Sequence, residues 1–272
     1  MCLLDVVFNT IFIPHFGVMG AGIGTASACA VISLTMAWRC LLCNPHLRLN
    51  RKETEKHGFN PEILKKALKI GLPVGVQEIA MCSAQVVATM IIAPLGAVSI
   101  AANSFAVTAE SLCYMPGYGI GDAATTLVGQ SYGASRRDLV KRFAYITVGL
   151  GMIVMTVMGV AMWIIAPWIM EMMTPVADIS RLGAEILRIE AWAEPMFAAS
   201  IVAYGVFVGV GSTTLPAVMN FGSIWIVRLP LAWILSRSMG LKGVWIAMCA
   251  ELIFRGTIFL IHLLRNRWIP RP

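Results

Sequence analysis

Residues 112–134 read Leu-Cys-Tyr-Met-Pro-Gly-Tyr-Gly-Ile-Gly-Asp-Ala-Ala-Thr-Thr-Leu-Val-Gly-Gln-Ser-Tyr-Gly-Ala. The stretch is too apolar for a loop and too rich in glycine and proline for an ordinary water-soluble helix. Pro116 removes a backbone donor and is expected to kink or locally open any helix that contains it. Gly117, Gly119 and Gly121 then offer a nearly bare backbone to a neighbour. In water that combination breaks helices. In lipid it is tolerated, because adjoining helices satisfy the freed groups and small residues let backbones approach closely. Asp122 lies inside the stretch and Glu110 just before it, so it reads as a bent, close-packing membrane helix beside a polar path.

Composition agrees. Of 272 residues, 58% are hydrophobic and 13% charged, against roughly 25% charged in a soluble domain. Such a chain could not cover a water-exposed surface. Several segments reach the ~20 residues needed to cross ~30 Å of hydrocarbon. The net charge of +7 comes from residues between the apolar segments, which points to topology-setting loops and excludes nucleic acid as a partner. Seven cysteines, mostly within apolar segments, make an odd count that argues against a disulfide framework. Cys40 and Cys43 lack a second ligand pair, and the histidines at 15, 46, 57 and 262 have no ligand spacing. No cofactor and no resident metal are expected.

The chain divides in order. Residues 1–43 hold two helices, the first (2–13) too short to cross alone, a turn at Pro14–Gly17, and a second at 18–43 whose Gly20 and Gly24 form a packing face. Residues 44–69 are a basic linker with Arg48, Arg51, Lys52, Lys56, Lys65, Lys66 and Lys69, ending in a short amphipathic helix from Pro61 to Lys69. Residues 70–266 form a six-helix lobe with spans at 70–93, 97–130, 143–166, 186–210, 214–236 and 243–264, and 267–272 a tail. By the positive-inside rule the linker, the loop with Arg136, Arg137, Lys141 and Arg142, and the tail are cytoplasmic. The loop carrying Glu171 and Asp178 is external.

An internal repeat relates Phe16–Thr25 to Met239–Met248, each copy opening an apolar segment. Repeats in transporters place ion and substrate sites near their interface at mid-membrane. The counterpart of the lobe that begins near residue 62 would start well upstream of Met1. The expectation is therefore an N-terminally truncated chain, inactive alone, whose missing partner is the first lobe of the same polypeptide.

Acids inside membrane helices are costly, about 2.5–3.5 kcal/mol each at the helix centre, and so mark function. Glu251 has Arg255 one turn on and reads as a local ion pair. Glu190, beside Arg188, reads as interfacial. Glu78, with Gln77 alongside and Gly71-Leu72-Pro73 a turn or more before, and Glu194, directly before Pro195, rank first as coupling-ion ligands. A helix-interior proline frees a carbonyl that can join a carboxylate around a cation. Glu110 and Asp122 rank second. Arg228 reads as a partner for one of these acids.

Gly71-Leu72-Pro73, Pro94-Leu95-Gly96 with Ile100-Ala101-Ala102-Asn103, Met115-Pro116-Gly117, and Leu127-Val128-Gly129-Gln130 through Gly133-Ala134 resemble the C-terminal lobe of the multidrug and toxic compound extrusion (MATE) family. Val227-Arg228-Leu229-Pro230 and Lys242–Ala247 are similar to its last two helices. The resemblance implies an all-α, polytopic transporter of two six-helix lobes, monomeric when full length, in a bacterial or archaeal plasma membrane. It implies export of drugs or organic, mainly cationic, metabolites by alternating access in exchange for Na+ or H+, with no enzymatic activity. Acids on the family's seventh and tenth helices form a cation site, and Glu78 and Glu194 occupy those helices here, each about a turn early. Val208 and Ser212 stand where many relatives carry an arginine and an aspartate. Pro73, Pro116, Pro195, Gly117, Gly121, Gly205 and Gly209 are the expected bending and packing positions. The alternative is a flippase for lipid-linked sugars of the same superfamily.

Overall fold

The computed structural model describes residues 2–43, 61–265 and 268, all of it helix or short connection with no strand among the described residues. Residues 44–60, which hold the first four basic residues of the linker, and the arginines at 267 and 271 lie outside the described residues. The chain forms two units, Met1–Leu64 and Lys65–Pro272.

In the first unit, α1 (Cys2–Phe16) and α2 (Val18–Trp38) form a hairpin, and α2 runs into a π-helical turn at Arg39–Cys43. Pro14 is inside α1 rather than in a turn; Gly17 alone reverses the chain, at φ 57°. Gly20 lies against the Phe12 carbonyl and Gly24 against the Asn9 side chain, the close packing the spacing predicts.

The second unit begins within a long helix, α3 (Pro61–Ile92), which stays helical through Pro73. The amphipathic turn expected at 61–69 is thus the leading part of the span, not a separate element. A 3-10 turn at Ala93–Leu95 leads to α4 (Ala97–Gly133), α5 (Arg137–Met173), α6 (Ala177–Glu190) and α7 (Glu194–Gly209). Next come α8 (Thr214–Gly222), a π-helical segment (Ser223–Arg228), α9 (Leu229–Met239) and α10 (Leu241–Leu264). Lys141 and Arg142, expected in a loop, sit on the first turns of α5.

By length and composition, five stretches can cross a membrane: Val18–Cys43, Ala67–Leu95, Arg137–Met173, Thr214–Met239 and Leu241–Leu264. A sixth forms if α6 and α7, bent by 60° across their short break, count as one. At 37 residues, or about 55 Å, α4 is long enough too. Its glycines and hydroxyl-bearing residues leave it less apolar than those five, because it packs against protein on several sides.

That packing organises the lobe. α4 lies against α5, α6 and α7, and α10 closes on α6, α7 and α9. The α4–α7 contact is a seam of backbone on backbone. A Cβ added at Gly205 would meet the Gly121 carbonyl, and one at Gly209 would lie 2.8 Å from the Thr125 carbonyl and 3.3 Å from the Gly129 nitrogen. Thr125 Oγ1 lies 3.0 Å from the carbonyl of Gly121 on its own helix and 2.9 Å from that of Gly205 across the seam. Gly117 makes room for the Met155 thioether of α5, whereas Gly119 has nothing within 4 Å. α4 remains helical past Pro116, so the local opening expected there does not occur.

Gly205→Ala is expected to destabilise the lobe by about 1–3 kcal/mol through overpacking, while Gly119→Ala changes little. Thermal unfolding of the detergent-solubilised protein distinguishes the two; equal transitions would contradict the seam.

Candidate functional site

A cavity of about 510 Å³ opens among α3, α4, α7, α8 and α10. Gln77, Glu78 and Met81 come from α3, and Tyr118, Asp122 and Thr125 from α4. Phe197, Ser200 and Tyr204 come from α7, Asn220 from α8, and Arg255 from α10. Glu78 and Asp122 are exposed on its wall, and Gln77 is buried. Tyr114, Tyr118 and Phe197 form an edge-to-face aromatic run with centroids 5.8–5.9 Å apart, and the Arg255 guanidinium lies 5.5 Å from the Phe197 centroid. An aromatic and carboxylate-bearing wall of this kind suits a cation with apolar substituents.

Arg255 is held rather than free. Its Nε is 3.1 Å from Glu251 Oε1, the i,i+4 pair expected from the sequence. Ser223, on the π-helical segment, donates from Oγ to the same carboxylate oxygen. The pair therefore ties α10 to the neighbouring span.

A second set of acids lies behind the wall. Glu110, Glu190 and Glu194 are 5%, 1% and 1% exposed, and both carboxylate oxygens of Glu190 and Glu194 lack a hydrogen-bond partner. Glu190 and Glu194 flank the break between α6 and α7. Glu190 ends α6, Ala191–Ala193 form a turn, and Glu194 opens α7 with Pro195 in its first turn. Pro195 has no N–H to lose to the helix and is preorganised for a start position. The sequence reading of Pro195 as helix-interior is thus corrected: the 186–210 span is the last turn of α6, a break, and α7. Gly159 of α5 approaches the break so closely that a Cβ there would be 3.0 Å from the Ala191 carbonyl. The two acids also differ in setting, since a negative charge is favoured at the start of a helix and disfavoured at its end.

Of the expected site residues, Gln77, Glu78 and Asp122 reach the cavity together with Gly121 and Gly205, while Glu110 and Glu194 are buried outside its lining. Among the described residues Arg228 has no ion-pair partner; its Nη2 lies 2.6 Å from the Met248 sulfur. Glu190, expected at an interface, is the residue the sequence reading missed. The available signal was Pro195, which marks a helix start and so places Glu190 at a helix end. Among the described residues no three His, Cys, Asp or Glu side chains converge as a metal-binding set.

A helical lobe of apolar spans, with a cavity at its side and unpartnered acids at a broken helix, has the architecture of a polytopic membrane protein of the kind that builds sites on discontinuous helices. A family model described as MatE matches residues 73–234, and the chain belongs to that family. It is 27% identical over 276 residues to the probable multidrug resistance protein NorM of Thermotoga maritima, covering 97% of this chain and 57% of the relative. It is 24% identical to the multidrug resistance protein MdtK of Yersinia pestis, covering 99% and 61%. The chain thus spans less than two thirds of the length of these relatives. Its fold matches a multidrug resistance MATE family transporter of the MOP superfamily in an outward-facing conformation, with TM-score 0.85 at 22% identity, over 96% of this chain and 59% of that one.

Removing one member of the buried pair leaves the other uncompensated. Arg255→Met is expected to cost about 3–5 kcal/mol, and the double change Glu251→Leu with Arg255→Met to recover most of it. Denaturant titration of the wild type, both single variants and the double variant provides the check, and an additive double variant would contradict the pairing.

Proposed function

We propose that this chain is the cation-handling part of a multidrug efflux antiporter that works by alternating access. Its substrates are organic cations taken up on the aromatic run and on Glu78 and Asp122. The coupling ion, H+ or Na+, acts at the buried acids Glu194, Glu190 and Glu110. One observation carries the reading: two carboxylates buried without a hydrogen-bond partner among the described residues flank a helix break, and one of them, Glu194, is a turn from Phe197 on the cavity wall. A charged carboxylate so placed is costly, and a proton or bound cation removes the cost. A site whose charge depends on its ion can therefore drive a change of state.

The names of the relatives support drug export over sugar-lipid flipping. So does a wall with two exposed acids, whose arginine is already engaged by Glu251. The proposed setting is a bacterial or archaeal plasma membrane, with the 44–69 segment and the C-terminus cytoplasmic by the distribution of basic residues. The working unit is a monomer that includes a first lobe.

The test is efflux of a fluorescent organic cation from pump-deficient cells that express the gene with all its in-frame coding sequence. The proton and sodium gradients are collapsed separately. Glu194→Gln and Glu190→Gln are expected to lower gradient-driven export at least tenfold, and collapse of only one gradient to abolish it. Glu78→Gln and Asp122→Asn are expected to raise the half-saturating substrate concentration with coupling intact. Wild-type transport by both Glu78→Gln and Glu194→Gln would overturn the site.

A further inference from the structure

Away from the cavity, a second groove follows the junction of α5 and α6. Its deeper part, about 250 Å³, is apolar and lined by Gly159, Val160, Trp163, Ala191 and Trp192. Its outer part, about 570 Å³, mixes charged side chains with alanines and prolines and reaches the α5–α6 connection at Thr174 and Pro175. Along α5, Gly159 to Thr174 covers about 22 Å at 1.5 Å per residue, the scale of a lipid headgroup and much of its chain. Trp163 and Trp192 are 44% and 74% exposed.

Arg188 joins the two parts. It lines the outer part, its Nε donates to the Trp163 carbonyl at 3.2 Å, and its guanidinium lies 5.2 Å from the Trp163 ring centroid. These contacts orient the guanidinium without neutralising it. The other charges are unevenly engaged. Glu185 is held by Lys242 at 2.6 Å and by Arg181 at 3.7 Å. Among the described residues, neither Arg188 nor Glu171, which shares the outer part, has an ion-pair partner. The groove therefore offers one open cation and one open anion above an apolar slot bordered by tryptophans.

The geometry points to a bound glycerophospholipid with a primary-amine headgroup. Its phosphate lies on Arg188, a planar donor set suited to phosphate oxygens. Its ammonium lies toward Glu171, and one acyl chain lies over the Trp163 and Trp192 rings, whose large apolar faces are exposed to it. A lipid with an anionic, amine-free headgroup leaves Glu171 facing like charge. A quaternary headgroup offers Glu171 no N–H donor. Inorganic phosphate leaves the apolar slot unfilled.

The test is tryptophan quenching in mixed detergent–lipid micelles of the full chain. Lipids with brominated acyl chains are titrated in phosphatidylethanolamine, phosphatidylglycerol and phosphatidylcholine forms, and a Trp163→Phe, Trp192→Phe protein supplies the background. Quenching is expected to saturate at a several-fold lower fraction of the ethanolamine lipid than of the other two. Arg188→Gln is expected to raise that fraction at least fivefold. Glu171→Gln, on an exposed residue that leaves the fold intact, should reduce the ethanolamine lipid to the level of the glycerol lipid. Equal half-saturation by all three lipids, preference for phosphatidylglycerol, no quenching of Trp163 and Trp192, or a Glu171→Gln protein that keeps its selectivity would each overturn the proposal.

Discussion

The lobe depends on the contact of α4 with α7 through their backbones. Thr125 and the glycines at 121, 129, 205 and 209 bring the two helices closer than side chains would allow. In a bilayer no hydrophobic force draws helices together, and close van der Waals contact is a main source of association. The seam places Tyr118 and Asp122 on one helix opposite Tyr204 on the other, and so shapes the cavity wall. The same residues that make 112–134 a poor helix in water make it the central helix here. α5 covers the side of α4 that holds Met155, and α10 closes over α7.

Charge is arranged in two layers around that seam. On the cavity side, Glu78 and Asp122 are open and Arg255 is bound to Glu251. Behind it, Glu110, Glu190 and Glu194 are buried, and among the described residues none of them meets an arginine at ion-pair distance. Where protein pairs every charge, stability is served. Where buried acids stay unpaired, the fold carries a cost in stability.

Spans, the glycine faces and the Glu251–Arg255 pair were legible in the sequence because each depends on spacing along one helix. Gly20 and Gly24, and Gly205 and Gly209, declare a packing face by recurring every fourth position, and an acid one turn before an arginine declares a pair. Which acids are buried was not legible, since burial depends on which neighbouring helices face them. Glu78 looked enclosed because its own helix is apolar, yet it stands on an open wall. Glu190 looked interfacial beside Arg188, although the two point to different surroundings. The break at Ala191–Ala193 contains neither glycine nor proline, so an apolar run hid it. Pro116 misled in the other direction, because its lost hydrogen bond does not interrupt the helix.

The break has an electrical consequence. With 14 and 16 residues, α6 and α7 measure about 21 and 24 Å, and neither alone crosses a ~30 Å core. Taken together as one centred span, they put their junction, with Glu190 and Glu194, near the middle of the hydrocarbon. An ion that reaches it from either side has crossed about half of the membrane voltage. At 100 mV that is about 1 kcal/mol per elementary charge. Under the proposed ion coupling, the occupancy of these carboxylates responds to membrane potential as well as to ion concentration.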